Sequence, residues 1–278
     1  MQKRVAAIHD ISGFGKCSLT VALPIISAAG SECAVIPTAV LSTHTGGFKD
    51  FTFRDLTEDI LPIAEHWRRE GIRFDAIYTG YLGSFEQIDL VCKVIDILRD
   101  ENTLVVVDPV MADHGKLYPI FPDNFPDGMK KLCAKADIVI PNLTEACLML
   151  GIEYKDGIFT EEYVKEILDG LLAMGAKTPV LTGVYFDDKK LGAACLENGE
   201  IKYAFADRIN AMYHGTGDVF GSALIGALME GFALQASLEI AAKYTSGCID
   251  RTLRFQPDRT YGVDFENELP KYLKMLGK

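Results

Sequence analysis

The stretch TLVVVDP, residues 103–109, is a short apolar run that ends at an aspartate and a proline. A run without polar alternation is typical of a strand that is buried on both faces of a parallel sheet. Comparable apolar runs occur on both sides of it along the chain, and they lie at 5–8, 32–40, 76–78, 138–140 and 180–181. Segments with helical periodicity separate them. This alternation predicts an α/β fold with a mostly parallel sheet and helices on both faces.

The segments between and after these runs complete the predicted architecture. Helices are expected at 16–29, 56–70, 85–99, from 144, at 216–231 and at 234–252, with a last short helix near the end of the chain. Two strand candidates, 191–196 and 200–205, flank an Asn-Gly pair and predict a small antiparallel hairpin at one edge of the sheet. Residues 41–54 are expected to form a loop or flap. No linker or internal repeat divides the sequence, so we expect one domain over residues 1–278.

Composition and charge exclude several classes of protein. Apolar residues make up 49% of the 278 residues and charged residues 24%, which excludes a disordered or low-complexity chain. The 28 lysines and arginines against 39 aspartates and glutamates leave a net charge of −11, which repels nucleic acid and anionic membranes. The seven cysteines are scattered without a CxxC pair, and no apolar run is long enough for a signal peptide or a membrane helix. We therefore expect a cytoplasmic protein.

Small, polar and acidic residues follow five of the predicted strands. They are His9-Asp10, Thr79-Gly80-Tyr81, Asp108-Pro109, Pro141-Asn142 and Thr182-Gly183. The carboxyl ends of parallel strands meet at one edge of a sheet, and ligands of open α/β folds bind beyond those ends. We therefore expect a site for a small molecule at this edge.

A glycine turn, HGTGD at residues 214–218, precedes the apolar helix predicted at 216–231. Glycines allow several N–H groups to point in one direction, and a helix start adds unpaired N–H groups and its dipole. Together they can bind an anion such as a transferring phosphoryl group. Asp218 can then accept the proton of an attacking hydroxyl. The alternative is that Thr216 or Asp218 only caps the helix.

Two other nucleotide-binding motifs are absent from the sequence. It has no GxxxxGK[ST] phosphate loop. The GxG at 13–15 is followed by serine at position 18, where a dinucleotide-binding fingerprint has its third glycine. A dinucleotide-dependent oxidoreductase is therefore disfavoured.

Five motifs in one order resemble the pyridoxal kinases of the ribokinase-like superfamily. They are STHTG at 42–46, TGYLGS at 79–84, DPVM at 108–111, PNLTE at 141–145 and GTGD at 215–218. With the first strand and the helix after the glycine turn, the resemblance extends from residue 5 to about residue 250. It implies a ribokinase-like fold and an ATP-dependent kinase that acts on the 5′-hydroxymethyl group of a vitamin B6 vitamer, namely pyridoxal, pyridoxamine or pyridoxine.

The resemblance also implies roles for the residues of these motifs. Asp218 would be the catalytic base, and Asp108 and Glu145 would lie near Mg²⁺ and the nucleotide phosphates. The implied anion hole is the backbone of Gly215, Thr216 and Gly217. The other implied contacts are those of Asn142, Thr182 and Gly183 with the nucleotide and those of Thr45 and Tyr81 with the vitamer. A homodimer and a monovalent cation such as K⁺ are implied as well, although no motif indicates either.

One segment departs from the pyridoxal kinase pattern. That branch has glutamine and serine after the first strand, where this chain has His9 and Asp10. The segment DISG at 10–13 resembles instead the D-x-S-G of hydroxymethylpyrimidine kinases, which phosphorylate the pyrimidine of thiamine. That branch usually has cysteine at the position of Asp218 and lacks the THTG and TGYLGS motifs. The alternatives to a vitamin B6 kinase are therefore a hydroxymethylpyrimidine kinase and an inactive vitamer-binding protein.

Asp10, Ser12 and His44 are further candidates for contact with the substrate. A carboxylate at position 10 can bind a ring nitrogen, a ring hydroxyl or a cationic amine, and the last contact would favour pyridoxamine over pyridoxal. Alternatively, Asp10 only caps the turn before the first helix. Ser12 belongs to the D-x-S-G segment. His44, in the flap beside Thr45, contacts the polar edge of the substrate or has a structural role, and the flap either closes over the site or is an ordinary loop.

Overall fold

A nine-stranded sheet forms the centre of the protein in the computed structural model, which describes residues 2–278. The strands in chain order are β1 (Arg4–Ser12), β2 (Glu32–Leu41), β3 (Phe53–Asp55), β4 (Ala76–Thr79), β5 (Leu104–Val107), β6 (Ala112–Asp113), β7 (Lys116–Leu117), β8 (Ile138–Val139), β9 (Thr178–Val184), β10 (Lys190–Glu197) and β11 (Glu200–Asp207). Across the sheet the order is β11-β10-β9-β8-β5-β4-β1-β2-β3, while β6 and β7 form a separate hairpin. The strands from β9 to β2 in this order are parallel, which confirms the predicted mostly parallel sheet.

Antiparallel strands form both edges of the sheet. At one edge β10 and β11 form the predicted hairpin, and Asn198 and Gly199 at its turn have positive φ angles of 53° and 81°. Such angles are those of a two-residue turn that continues the twist of the strands. At the other edge β3 pairs with β2. The prediction of a flap over 41–54 is therefore wrong at both ends, because Leu41 ends β2 and residues 53 and 54 extend the sheet, whereas residues 42–52 form a loop.

Within residues 2–278, nine α-helices cover the two faces of the sheet. One face packs against α1 (Leu19–Ala28), α7 (Thr216–Met229), α8 (Leu234–Phe255) and α9 (Leu269–Met275). The other face packs against α2 (Thr57–Arg69), α3 (Phe85–Leu98), α4 (Phe125–Cys133), α5 (Leu143–Leu150) and α6 (Glu161–Ala173). Strand residues alternate between the two cores, so that Val106 points to the first and Val105 and Val107 to the second. The predicted helical layers on both faces are confirmed.

Two helices and the β6–β7 hairpin lie in segments for which no element is predicted. Helix α4 has a proline at its start and Gly128 in its middle, and Gly128 packs so closely on Phe85 that a Cβ atom there would lie 2.8 Å from the ring. Packing rather than helix propensity therefore stabilises α4. Helix α6 has a readable signal, because Tyr163, Ile167 and Leu171 are spaced along its buried face. None of the helices within residues 2–278 combines the length and the apolar character that crossing a membrane requires.

Candidate active site

Four acidic side chains lie at the edge of the sheet where the parallel strands end. Asp10 is near the end of β1, Asp108 follows β5, Glu145 is in the first turn of α5 and Asp218 is in the first turn of α7. Charge interactions connect Asp218 with both Asp10 and Asp108, and Asp108 with Glu145. The fold therefore brings together acidic residues from four separate sequence motifs.

Asp10 lies within strand β1 rather than in the turn after it. The strand continues to Ser12, and its register with β2 shifts between His9 and Ile11. The buried Asp10 carboxylate accepts hydrogen bonds from the hydroxyls of Ser18, at 2.5 Å, and Ser12, at 3.1 Å. Burial raises the pKa of Asp10, while these two serine hydroxyls favour its charged form.

Ser18 is the N-cap residue of helix α1, but its side chain makes no capping hydrogen bond to the helix. Its hydroxyl donates to Asp10 instead. Asp10 therefore does not cap the turn itself, as the alternative prediction has it. Instead it binds the side chain of Ser18, the N-cap residue. Ser18 itself could have been found from the sequence, since a serine before an apolar helical run is an N-cap signal.

The glycine turn before α7 combines one tightly packed glycine with one open glycine. Gly215 is the N-cap residue, with a φ angle of 76°, and a Cβ atom there would collide with the Lys16 carbonyl oxygen. Gly217 is exposed, and nothing lies within 4 Å of the position that its Cβ would take. The first N–H groups of a helix have no partner within the helix. Those of α7 therefore begin at a turn that is tightly packed at Gly215 and open at Gly217.

Asp218 lies in the first turn of α7 and is half-buried. Burial raises its pKa to about 7, and the charge of Asp10 acts in the same direction, whereas the backbone of Ser18 favours the charged form. The pKa therefore places the change of protonation state of this carboxylate near neutral pH, where a general base is most effective. The alternative prediction, in which Thr216 or Asp218 only caps the helix, is wrong, because the N-cap residue is Gly215 and no side chain makes a capping hydrogen bond there.

Asp108 is the least partnered of these carboxylates. It is 7% exposed, and among residues 2–278 no side chain or backbone group donates a hydrogen bond to its carboxylate. Burial, together with the charges of Glu145 and Asp218, raises the pKa of Asp108 well above its usual value. A buried carboxylate of this kind is costly unless a cation or a hydrogen-bond donor approaches it.

Glu145 and Asn142 are both tied to the start of helix α5. The Asn142 side chain accepts from the Glu145 N–H at 2.9 Å, and the Glu145 carboxylate accepts from the Asn142 N–H at 2.9 Å, which is a capping box. Glu145 also accepts from the Met111 N–H at 3.1 Å. Burial nevertheless raises the pKa of Glu145 to about 8. These bonds fix the loop after β5, and thereby Asp108, relative to α5.

A magnesium ion fits this donor set in one respect. The oxygens of Asp108 are hard ligands without a protein partner, which is the chemistry that Mg²⁺ prefers. Within residues 2–278 no group of three or more His, Cys, Asp or Glu side chains is arranged to hold a metal ion by itself. This arrangement is that of an ion bound through one or two carboxylates and the phosphates of a substrate, as magnesium usually is in phosphoryl-transfer sites.

Thr182 and Gly183 lie in strand β9, beside the start of α5. Thr182 forms a bridge with Asn142, and its N–H donates to the Pro141 carbonyl at 2.9 Å. Gly183 is exposed, and its φ angle is 76°. The two residues therefore lie at the same edge of the sheet as the acidic cluster, next to the capping box.

The flap contacts the glycine turn through two histidines. His44 is buried, accepts from the Gly46 N–H at 3.0 Å through Nδ1, and has its ring 5.3 Å from that of His214. A Cβ atom at Gly46 would lie 2.6 Å from the His214 ring. Burial, with His214 nearby, lowers the pKa of His44, so the ring is neutral. Thr45, between His44 and Gly46, is exposed.

Two tyrosines also lie at the site, one of them predicted. Tyr81 is half-buried, and burial together with the charge of Asp10 raises its pKa to about 12, so it lies on the Asp10 side of the cluster. Tyr118, which no sequence signal indicates, is half-buried, and burial with the charges of Glu145 and Asp108 raises its pKa. It follows the β6–β7 hairpin, a segment too short for a periodic pattern.

Known proteins with similar sequences or structures are kinases of two kinds of heterocycle. A family model described as phosphomethylpyrimidine kinase matches residues 23–262. A crystal structure from Bacteroides thetaiotaomicron, which carries the same description and is an orthorhombic form with pyridoxal, is 37% identical, covers 98% of this chain and 96% of its own, and has a TM-score of 0.91. The pyridoxal kinase of Lactobacillus plantarum is 31% identical, with 99% and 98% covered and a TM-score of 0.88.

Curated relatives also include both pyrimidine kinases and kinases of pyridoxal or pyridoxine. The hydroxymethylpyrimidine/phosphomethylpyrimidine kinase of Bacillus subtilis is 25% identical over 255 residues, which are 91% of this chain and 84% of that protein. Matches to a curated pyridoxal kinase and a curated pyridoxine kinase span only 52% and 65% of those proteins.

Proposed function

Because the chain belongs to the phosphomethylpyrimidine kinase family, we propose that it is an ATP-dependent kinase that phosphorylates the 5′-hydroxymethyl group of a vitamin B6 vitamer. The observation that carries the proposal is the position of Asp218 in the first turn of α7, beside the open side of Gly217. Phosphoryl transfer to an alcohol needs a base close to a seat for the transferring group. Both lie at the sheet edge where ligands of such folds bind.

In the proposed reaction the hydroxyl oxygen of the vitamer attacks the γ-phosphorus of ATP. An O–P bond forms while the bond from the γ-phosphorus to the β–γ bridging oxygen breaks, and ADP leaves. Asp218 accepts the hydroxyl proton, which its pKa of about 7 permits near neutral pH. The N–H groups of Gly215, Thr216 and Gly217, with the positive end of the α7 dipole, stabilise the charge on the transferring phosphoryl oxygens.

On the nucleotide side, Asp108 would hold Mg²⁺, and Glu145 would support it through the loop after β5. When bound, the ion would neutralise part of the phosphate charge. The Glu145 carboxylate accepts from the Met111 N–H and the Asn142 amide donates to the Ala112 carbonyl, which fixes this loop, and Thr182 pairs with Asn142 beside it. The nucleotide contacts of Asn142, Thr182 and Gly183 therefore stay predictions that this arrangement supports.

On the vitamer side, Asp10 presents a buried carboxylate that Ser12 and Ser18 hold in place. Tyr81 lies on the same side of the cluster, and the flap with His44 and Thr45 contacts the glycine turn. A buried carboxylate of fixed orientation suits a cationic amine or a protonated ring nitrogen. We therefore infer that Asp10 recognises the heterocycle, and that the flap excludes water from the reacting groups.

A hydroxymethylpyrimidine kinase is the second candidate, and one observation favours it. The segment DISG is formed by Asp10 and Ser12, which are hydrogen-bonded to each other at 3.1 Å. A relative of that activity aligns with 91% of this chain. The presence of pyridoxal in the form solved for a protein 37% identical to this chain supports the vitamin B6 substrate instead. The aspartate at position 218 also supports a vitamin B6 substrate, because the pyrimidine branch usually has cysteine at this position.

The test is an ADP-release assay on the full chain with Mg²⁺ and ATP and four acceptors: pyridoxal, pyridoxamine, pyridoxine and hydroxymethylpyrimidine. We expect turnover of at least one of the three vitamers, with a higher kcat/KM than for the pyrimidine. A preference for the pyrimidine would establish the second candidate. Binding of a vitamer without any ADP release would identify an inactive binding protein. Asp218→Asn is the control, because it should lower kcat by about 10²–10⁴-fold.

Four expectations about the protein as a whole accompany this proposal. The continuous nine-stranded sheet supports a single kinase domain. The homodimer, the use of K⁺ and the cytoplasmic location stay predictions. Gel filtration with light scattering and the assay in K⁺ and Na⁺ salts test the first two of these three.

A further inference from the structure

Lys16, in the loop between β1 and α1, touches the glycine turn through its backbone. A Cβ atom at Gly215 would collide with the Lys16 carbonyl oxygen and would lie 3.2 Å from the Cys17 sulfur. Gly215 therefore has no free space on this side, and its φ angle of 76° turns the chain directly into α7. The backbone at residues 16–17 consequently packs against the turn that would bind the transferring phosphoryl group.

A segment near the end of the chain, residues 261–266, contacts Lys16 in turn. The Lys16 N–H donates to the Tyr261 carbonyl at 2.9 Å. A Cβ atom at Gly262, whose φ angle is 124°, would collide with the Lys16 Cβ, so the close approach of the two backbones requires glycine at this position. The loop that packs against Gly215 is therefore itself bound to a second, distant segment of the chain.

The side chain of Lys16 is bound by the same segment. Its ammonium group forms an ion pair with the Glu266 carboxylate and lies 5.2 Å from the centre of the Phe265 ring, within the range of a cation–π interaction. The Lys16 side chain is only 25% exposed. Because these two partners occupy the ammonium group, we expect Lys16 to act on the glycine turn through its backbone rather than by contact with a bound anion.

The segment 261–266 is fixed to helix α8. The Tyr244 hydroxyl donates to the Phe265 carbonyl at 2.9 Å. The Arg251 guanidinium donates to the buried Asp264 carboxylate at 2.8 Å, and the Asp264 N–H donates to the Thr252 hydroxyl at 2.8 Å. Because α8 packs against α7, the segment has a fixed position relative to the glycine turn at the start of α7.

We propose that Lys16 is a positioning residue for phosphoryl transfer: its ion pair with Glu266 and its contacts with residues 261–265 hold its carbonyl against Gly215 and thereby fix the glycine turn. This inference rests on the proposed kinase function. The N–H groups of such a turn stabilise a transferring group best when their directions are fixed before the reaction. A small displacement of the turn therefore lowers the rate of transfer more than it weakens the binding of either substrate.

Lys16→Met keeps the length of the side chain and removes its charge, and Glu266→Gln removes the opposite charge. For each variant we expect kcat to fall about fivefold, the largest effect that an ion pair of this exposure supports, with the KM for ATP and for the acceptor unchanged within about twofold. The double variant should lose no more than either single variant, because the two side chains form one contact. The melting temperatures should fall only slightly, since a half-exposed ion pair contributes little to stability.

Lys202→Met is the matched control. It breaks the similarly exposed ion pair of Lys202 with Glu197 on the β10–β11 hairpin, and we expect an unchanged kcat. A fall of kcat in this control equal to that in Lys16→Met would show a general effect of lost surface charge and contradict the proposal.

Other outcomes also overturn the inference. An unchanged kcat in both Lys16→Met and Glu266→Gln shows that the ion pair does not position the turn. A loss in Lys16→Met alone, with a rise of the KM for ATP, identifies Lys16 as a direct contact of the nucleotide instead. A wild-type protein without kinase activity overturns the proposed function and this inference together, whereas an active wild type with unaffected variants overturns the inference alone.

A second pair of variants tests the close approach of Gly262 to Lys16. Gly262→Ala should lower kcat, because the new Cβ collides with the Lys16 Cβ and displaces the loop. In the Lys16→Gly background this collision is absent, since the nearest remaining atoms are at 3.2 Å or more, and only the strain of the positive φ angle remains. Gly262→Ala should therefore lower kcat by a smaller factor in that background than in the wild type. Equal factors in the two backgrounds would separate this contact from catalysis and contradict the proposal.

Discussion

The Ser18 hydroxyl donates a 2.5 Å hydrogen bond to the Asp10 carboxylate, and the Ser18 backbone favours the charged form of Asp218. One residue thus connects the carboxylate on the vitamer side with the candidate base. Its φ angle of 54° is unusual for a residue other than glycine. The contact with both carboxylates stabilises Ser18 in this conformation, and the two halves of the candidate site are consequently fixed relative to one another.

Asp10→Ser should lower the preference for a cationic substrate. We expect the ratio of kcat/KM for pyridoxamine to that for pyridoxal to fall about tenfold, because a charge-assisted hydrogen bond is lost. The ratio is measured by ADP release under identical conditions. Ser12→Ala, which removes a neighbour of Asp10 but keeps the carboxylate, is the control and should change the ratio much less. An unchanged ratio in Asp10→Ser would exclude recognition of the amine by Asp10.

The activity should depend on pH through Asp218. Since its pKa is raised to about 7, kcat/KM should rise with pH up to about 7 and then level off, as the base loses its proton. A profile of kcat/KM from pH 5 to 9 tests this, with buffers matched for ionic strength. A profile that is flat across pH 7 would contradict the assignment of Asp218 as the base.

The stability of the fold, unlike the activity, should fall as the pH rises. A carboxyl group with a raised pKa binds its proton more tightly in the folded protein, so its contribution is present at low pH and is lost as the pH rises from about 4 to about 7. Asp218→Asn cannot ionise and should escape this loss. The melting temperature of the variant minus that of the wild type should therefore be larger at pH 8 than at pH 4. Equal differences at the two pH values would show that Asp218 keeps an ordinary pKa.

Two glycines of the same turn should respond differently to alanine. Gly217→Ala places a Cβ atom in open space and improves helix propensity, so stability should stay the same or rise by about 0.5–1 kcal/mol. Its activity should fall, because the Cβ occupies the side of the turn where the phosphoryl group would bind. Gly215→Ala should lower both stability and activity, since its Cβ collides with the Lys16 carbonyl. Melting curves and kcat/KM for ATP separate the two cases, and full activity of Gly217→Ala would argue against the anion seat.

Asp108→Asn should weaken the use of magnesium. The substitution keeps the shape of the side chain and removes the negative charge that has no protein partner, so the Mg²⁺ concentration for half-maximal rate should rise about tenfold or more. Rates are measured over a range of free Mg²⁺ at fixed ATP. Asp113→Asn, an exposed acid on the β6–β7 hairpin, is the matched control and should leave the requirement unchanged. An unaltered requirement in Asp108→Asn would remove Asp108 from the metal site.

The sequence pattern predicts most of the sheet because the spacing of apolar residues within a strand or helix reflects which of its residues are buried. The run at 103–109 becomes β5 followed by Asp108, and the Asn-Gly pair at 198–199 becomes a hairpin turn. The prediction fails for segments whose structure depends on tertiary packing. Helix α4 contains Gly128, which packs on Phe85, and β3 pairs with β2 at the edge of the sheet.

For the candidate site, the sequence by itself determined which residue types are available and in which order: an aspartate after a glycine turn, and acids at strand ends. Only the tertiary structure decided that Asp10 lies inside β1, that Glu145 and Asn142 form a capping box, and that Tyr78 and His9 are completely buried in contact with each other. The physical reason is that periodicity and turn signals describe a residue's own neighbours along the chain. Hydrogen bonding and burial depend on side chains that the fold brings together from distant segments.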